Sequence, residues 1–142
     1  MTLNEFKSRM AALDLSTYNL LLVDCLINKK MDIRYSNQTD SEYLCIYRNQ
    51  HIQVKIYFHS QHHLRVLIVK NKDKMFSISA YYIKNNINLD IDTLFRKKID
   101  ETTTNFLERT LDFIVTKFFP DIKHMLVDGA WEEINFDWQG YK

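Results

Sequence analysis

Three of the five histidines of this chain lie within six residues, in FHSQHH at 58–63. Imidazole nitrogens bind zinc when three or four ligands converge in a tetrahedral arrangement. His59, His62 and His63 have no carboxylate or thiolate close by in sequence, and the helical motif HExxH is absent. We therefore interpret the three histidines as the polar tip of a β-hairpin, with a metal site as the alternative, and expect no cofactor.

Gln53-x-Lys55 is a second pattern with possible chemistry. Some metal-dependent nucleases place a carboxylate or glutamine two residues before a lysine on a central strand, where the first binds Mg²⁺ and the lysine steadies water or phosphate. The carboxylates that can complete such a site are Asp32, Asp40 and Glu42. A lysine at this spacing is common on alternating strands, so a nuclease using Gln53, Lys55 and His59 is our least favoured hypothesis.

The cysteines and glycines exclude several classes of site. Cys25 and Cys45 form no CxxC pattern, and we expect two small buried side chains; a disulfide would need an oxidising compartment. Gly129 and Gly140 lie in none of the glycine motifs of nucleotide-binding loops or nucleophile elbows. The sequence therefore predicts a protein that is not an enzyme.

Hydrophobic periodicity predicts helices before the sheet. Thr2-x-x-Glu5 is a capping box for a helix over 3–13, and Ser16 can cap a second helix whose apolar face includes Leu20 and Val23 and which ends near residue 30. The period then changes to two. Strands are predicted at 31–36, 42–49, 51–59, 64–70 and 75–83. Their short polar connections require antiparallel neighbours, and 64–70, apolar on both faces, indicates an interior strand.

Helical spacing returns after the predicted sheet. An apolar stripe from Phe106 to Phe118 predicts a helix that Pro120 stops, and Gly129 is expected to end a short helix over 121–128. We expect one α+β domain over 1–142, in which helices cover one face of a five-stranded antiparallel meander. Its segments are helical 1–30, meander 31–84, helical 85–128 and an aromatic, acidic tail 129–142. No apolar run is long enough for a membrane span and no signal peptide is evident, so a cytoplasmic location is expected.

Charge is unevenly distributed along a chain whose formal net charge is +1. Residues 43–84 carry seven basic side chains against Asp73 alone, whereas the later part of the chain is acidic. A basic surface attracts anions and acidic partners. The alternative is that the acidic C-terminal third folds over this face and neutralises it.

The favoured functional hypothesis is a small non-catalytic protein that occludes a partner protein, of the inhibitor, immunity or anti-defence type found in phages and mobile elements. The candidate partner-binding residues are Lys55, Tyr57, His59, Arg65, Lys70, Lys72, Lys74, Tyr81, Trp131 and Trp138. Nucleic-acid binding by a basic, tyrosine-bearing sheet face is the alternative. For the tryptophans, the alternative is that Trp131 and Phe136 pack back on the domain as a C-terminal strap.

Overall fold

A computed structural model describes residues 1–28, 42–85 and 87–135. Five strands form one antiparallel sheet in the order β1-β2-β3-β4-β5, so neighbours in sequence are neighbours in the sheet. The strands are β1 Leu21–Ile27, β2 Glu42–Arg48, β3 Gln53–His59, β4 His63–Asn71 and β5 Lys74–Ser77. The α+β class and the antiparallel five-stranded sheet are confirmed, and so is the interior position of β4.

The inner face of the sheet carries the core, as the period-two pattern predicts. Val54, Ile56 and Phe58 alternate along β3 and are at most 1% exposed. Helix α1, Leu3–Ala11, begins at Thr2, whose side chain accepts a hydrogen bond from Glu5 N–H. This helix places Phe6 5.5 Å from the ring of Phe58, and its burial against the sheet holds the helix there.

The predicted second helix is wrong. Residues Ser16–Tyr18 form a single 3₁₀ turn, which Asn19 ends in the left-handed region at φ 56°, and the chain then continues as β1. Leu20, Val23, Leu26 and Ile27 fit a helical spacing, but β1 gains a hydrogen-bonded neighbour in β2. The sheet thus overrides the local periodicity. The strand predicted at 31–36 lies outside the described residues.

The predicted strand over 75–83 is also wrong beyond its first residues. Strand β5 stops at Ser77, and helix α2, Ile78–Lys84, follows. The side chain of Ser77 accepts a hydrogen bond from Ala80 N–H at 3.1 Å and so caps the new helix. Tyr81 and Tyr82 consequently lie in the helix, with both side chains buried, and not on the sheet.

The C-terminal helices are α3 Ile91–Leu94, α4 Thr103–Phe113, α5 Phe119–Asp121 and α6 Lys123–Leu126, with a π-helical stretch, Ile114–Phe118, between α4 and α5. Helix α4 packs on the inner face, where the ring of Phe106 lies 5.7 Å from Phe58. The expectation that Pro120 stops the helix is wrong. Pro120 is the second residue of α5, which continues the helical backbone of the π-helical stretch without a break, and the helical stretch ends one residue later, at Asp121.

Gly129 follows α6 with φ +68°, and Ala130 N–H donates to the His124 carbonyl at 3.0 Å. The predicted helix over 121–128 is thus confirmed only in part: α6 ends at Leu126 with Val127 as its C-cap, and Gly129 takes the left-handed conformation two residues later. Across the described ranges, no helix combines the length and the apolar character needed to cross a bilayer.

Candidate functional site: the outer face of the sheet

The face of the sheet opposite α1 and α4 is the outer face. On β3 it carries Gln53, Lys55, Tyr57 and His59, in alternation with the core residues. This face is not uniformly polar, because Leu67 and Val69 of β4 point the same way and are 3% and 9% exposed. Apolar side chains in its middle separate a polar corner near the β3–β4 turn from a basic end near the opposite turns.

The polar corner is organised around one buried carboxylate. Glu42, 5% exposed, receives two hydrogen bonds from Arg65 Nη2, at 3.1 and 3.2 Å, and one from Asn28 Nδ2 at 2.6 Å. To reach Glu42 from β4, Arg65 crosses β3 with its guanidinium 5.1 Å from the centre of the Tyr57 ring. Arg65 and Tyr57, both predicted partner-binding residues, are therefore engaged within the protein.

The three clustered histidines lie at the tip of the β3–β4 hairpin, as predicted. His62 N–H donates to the His59 carbonyl at 3.1 Å, which closes the turn, and the rings of His59 and His62 are 4.4 Å apart. Burial, together with the nearby positive charge of Arg65, lowers the pKa of His63 to about 4. Within the described residues, no group of three or more His, Cys, Asp or Glu side chains is arranged to hold a metal ion.

The strand register surrounds Gln53 and Lys55 with groups unlike those of a nuclease site. Their partners on β2 are Arg48 and Ile46, and their partners on β4 are Val69 and Leu67. Glu42, the described member of the three candidate carboxylates, pairs in register with His59 at the other end of β3 and is bound by Arg65. Asp32 and Asp40 lie outside the described residues.

Three of the seven cations between residues 43 and 84 form ion pairs with carboxylates from outside that stretch. Arg65 pairs with Glu42 at 3.1 Å. Lys74, a predicted partner-binding residue, pairs with Glu133 at 3.4 Å, and Lys84 pairs with Glu132 at 3.1 Å. Part of the positive charge is thus neutralised by the acidic C-terminal segment.

The other four cations are Arg48, Lys55, Lys70 and Lys72. Among the residues that the structure describes, no carboxylate lies within 4 Å of their charged groups. Arg48, Lys70 and Lys72 line a hollow of about 360 Å³ between the β2–β3 and β4–β5 turns, together with Gln53 and Asn71. We call this feature the basic hollow. Lys55 is two residues from Gln53 on the same face.

Sequence reasoning identified Lys70 and Lys72 but missed Arg48. Arg48 is exposed at the end of β2, and its register partner is Gln53. Arg48 could have been identified because Leu44, Ile46 and Arg48 are two residues apart, which places all three on the same face of the strand. Because β2 and β4 flank β3, the fold brings Arg48 to the same hollow as two lysines more than twenty positions later.

The tyrosines of residues 43–84 are mostly core residues. Tyr43, Tyr47, Tyr81 and Tyr82 are at most 8% exposed, which leaves Tyr57 on the outer face. The hydroxyl of Tyr81, a predicted partner-binding residue, donates to the Asp121 carbonyl at 3.2 Å. Its burial removes it from any docking surface on this face. His59, another predicted partner-binding residue, is 5% exposed.

Trp131 packs back on the domain, as the strap interpretation holds. Its ring lies 5.3 Å from Phe76, a core residue of β5, and its indole Nε1 is buried with no hydrogen-bond partner among the described atoms. Glu132 and Glu133, the next two residues, make the ion pairs with Lys84 and Lys74. Phe136 and Trp138 lie outside the described residues.

A separate cavity of about 880 Å³ lies between β4, α2 and α3. Its wall includes the cations Lys84 and Arg96 and the carboxylates Asp92 and Glu133, beside apolar side chains such as Ile83. Because its wall carries both positive and negative side chains, the cavity favours neither an anionic nor a cationic ligand.

Comparison with known proteins gives no family. The chain has no significant match to a protein-family model, to a curated protein or to a solved structure.

Proposed function

We propose that this protein is a non-catalytic inhibitor that binds an acidic surface of a partner protein through the basic hollow and acts by occlusion. The observation that carries the proposal is the grouping of Arg48, Lys70 and Lys72 in one concave surface, with no described carboxylate in ion-pair range. A cluster of cations that the protein does not neutralise raises the local concentration of anionic groups and speeds their docking. Immunity or anti-defence activity, the finer form of this proposal, rests on the same surface.

Placement of the tyrosines favours a protein partner over nucleic acid. Single-stranded nucleic acid binds where basic grooves carry exposed aromatic rings for base stacking. Here four of the five tyrosines near the basic stretch are in the core, and Tyr57 lies beneath the guanidinium of Arg65. The basic hollow therefore offers charge and side-chain amides, which suit carboxylates on a protein surface.

Charge reversal tests the proposal. The hollow variant is Arg48→Glu/Lys70→Glu/Lys72→Glu, and the matched control is Arg96→Glu/Lys98→Glu/Lys123→Glu, which reverses one exposed arginine and two exposed lysines elsewhere. Binding to a polyglutamate peptide is measured at low and physiological salt. We expect the hollow variant to bind at least about tenfold more weakly than the wild type and the control to change little.

The same three proteins are then used for affinity purification from the native host. An acidic protein retained by the wild type and the control, but not by the hollow variant, supports the proposal if added wild-type protein also inhibits its activity. Equal retention by all three proteins would overturn it. Recovery of nucleic acid in place of protein would establish the alternative, and turnover of a substrate by the purified protein would show that it is an enzyme.

A further inference from the structure

The two cysteines face each other across neighbouring strands. Cys25 of β1 is the register partner of Cys45 of β2, and their sulfurs are 3.1 Å apart. Asn28 N–H donates to the Glu42 carbonyl at 2.8 Å, so the 28–42 pair is a hydrogen-bonded position of the ladder. Hydrogen-bonded and non-hydrogen-bonded pairs alternate along an antiparallel ladder. The pair 26–44 is therefore hydrogen-bonded, and the pair 25–45 is non-hydrogen-bonded.

This position suits a disulfide. In non-hydrogen-bonded antiparallel pairs the Cα atoms are about 4.5 Å apart, at the short end of the range that disulfides span. The sulfurs would need to approach by about 1 Å to reach a bonded separation of about 2.05 Å. Both strands can keep their present register while this happens.

From this geometry we propose that Cys25 and Cys45 are a disulfide site, which a small-molecule disulfide such as oxidised glutathione closes in the folded protein. The closed bond ties the edge strand β1 to β2. The proposal is independent of the partner-binding role of the basic hollow, because the thiols lie on the inner face of the sheet and the hollow lies on the outer face.

The exchange proceeds in two steps. Cys25 loses its proton to water, and its thiolate attacks one sulfur of oxidised glutathione, which forms a mixed disulfide and releases one glutathione thiolate. Cys45, deprotonated in turn, attacks the Cys25 sulfur, which forms the Cys25–Cys45 bond and releases the second glutathione thiolate. The two protein thiols lose two electrons and two protons, and one molecule of oxidised glutathione becomes two of reduced glutathione.

The solvent exposure of the two thiols indicates that Cys25 reacts first. Cys25 is 5% exposed on the edge strand, whereas Cys45 is fully buried between β1 and β3. Burial raises the pKa of both thiols, so the thiolate fraction is small at neutral pH and the reaction is expected to be slow. Lys7 is the cation whose charge opposes this shift at Cys25.

The test uses the full chain incubated with oxidised glutathione below its melting temperature, followed by intact mass, peptide mapping and thermal unfolding. We expect a mass loss of two hydrogens, a Cys25–Cys45 cross-linked peptide, and a Tm raised by roughly 10 °C because the closed loop restricts the unfolded chain. In the matched variant Cys45→Ala, the glutathione adduct on Cys25 is expected to persist because no second thiol can displace it.

Three results of the chemical analysis would overturn the proposal. They are a glutathione adduct that persists on the wild type, disulfide-linked dimers in place of the internal bond, and thiols that do not react until the protein unfolds. A cross-linked form that melts below the reduced form would show that the strands do not accommodate the bond and would also overturn it. If Cys45→Ala fails to fold, the wild-type mass and melting data still decide.

Discussion

Single residues on the outer face set the charge that a partner would meet. Arg65 and Arg48 both carry a positive charge, but Glu42 neutralises that of Arg65, whereas no described carboxylate approaches Arg48. His63 lies in the same corner as Arg65, which disfavours a second positive charge there. Burial and the charge of Arg65 thus keep His63 neutral.

Because of His63, the free energy of unfolding is expected to decrease as the pH falls. Because the pKa of His63 is lowered to about 4 in the folded protein, the unfolded chain binds a proton between about pH 6.5 and 4 that the folded protein does not. The contribution is complete above pH 6.5 and decreases as pH falls through this window, by about 3 kcal/mol in total. Urea unfolding of wild type and His63→Gln from pH 7.5 to pH 4 measures it.

The variant should show a flatter pH dependence than the wild type over that window. His51→Gln is the control, because it removes a histidine at the opposite end of β3 from His63. Parallel curves for the wild type and His63→Gln would contradict the assignment to His63.

At the scale of elements, a strand could be predicted where apolar and polar residues alternate and the apolar residues are buried. Strand β3 was predicted correctly because Val54, Ile56 and Phe58 alternate with polar residues, and Phe58 packs against Phe6 of α1 and Phe106 of α4. Strand β1 was missed because Leu20, Val23 and Leu26 have helical spacing and the strand shows no alternation of buried and exposed apolar residues: Leu21 is 73% and Val23 48% exposed. Without an alternating pattern, its spacing fits a helix equally well.

The change from β5 to α2 was missed for a local reason. Ser77 continues the alternation of β5, but its hydroxyl caps the following residues and starts a helix. The helix that begins at this cap places Tyr81 and Tyr82 in the core and not on the expected sheet surface. The expectation of exposed tyrosines fails at Tyr81 and Tyr82 for that reason, and at Tyr43 and Tyr47 because these residues of β2 face the core.

Gly129 offers a test of how α6 ends. A Cβ at this position would lie 2.6 Å from Nδ1 of His51, and φ +68° disfavours any other residue. We expect Gly129→Ala to lower the free energy of unfolding by about 2–3 kcal/mol, of which about 1 kcal/mol is the backbone term. In a His51→Ala background the clash is removed, and the same substitution should cost about 1 kcal/mol.

Urea unfolding of the four proteins in this cycle measures both terms. Ala130→Gly, one residue further along and exposed, is the control for loss of rigidity in this segment. Equal costs of Gly129→Ala in the two backgrounds would show that His51 moves aside freely and would contradict the clash.

For the whole molecule, the net charge is near zero although the positive charge is concentrated in one part of the surface. The formal net charge is +1, yet Arg48, Lys70 and Lys72 share one hollow, and Lys74 and Lys84 are paired with glutamates of the C-terminal segment. The sequence predicted the excess of positive charge between residues 43 and 84. It could not show which cations are neutralised, because those pairs join residues nearly fifty or more positions apart.

This polarity predicts retention on a cation exchanger that the net charge does not explain. Lys70→Gln/Lys72→Gln and Lys98→Gln/Lys123→Gln each lower the formal net charge from +1 to −1. The first pair removes cations from the basic hollow, so it should elute at clearly lower salt than the wild type, and the second pair should elute close to the wild type. Salt-gradient elution at pH 7 measures the difference. Because equal net charges predict equal elution for a uniformly charged surface, identical elution of the two variants would show that the hollow is not a separate centre of positive potential.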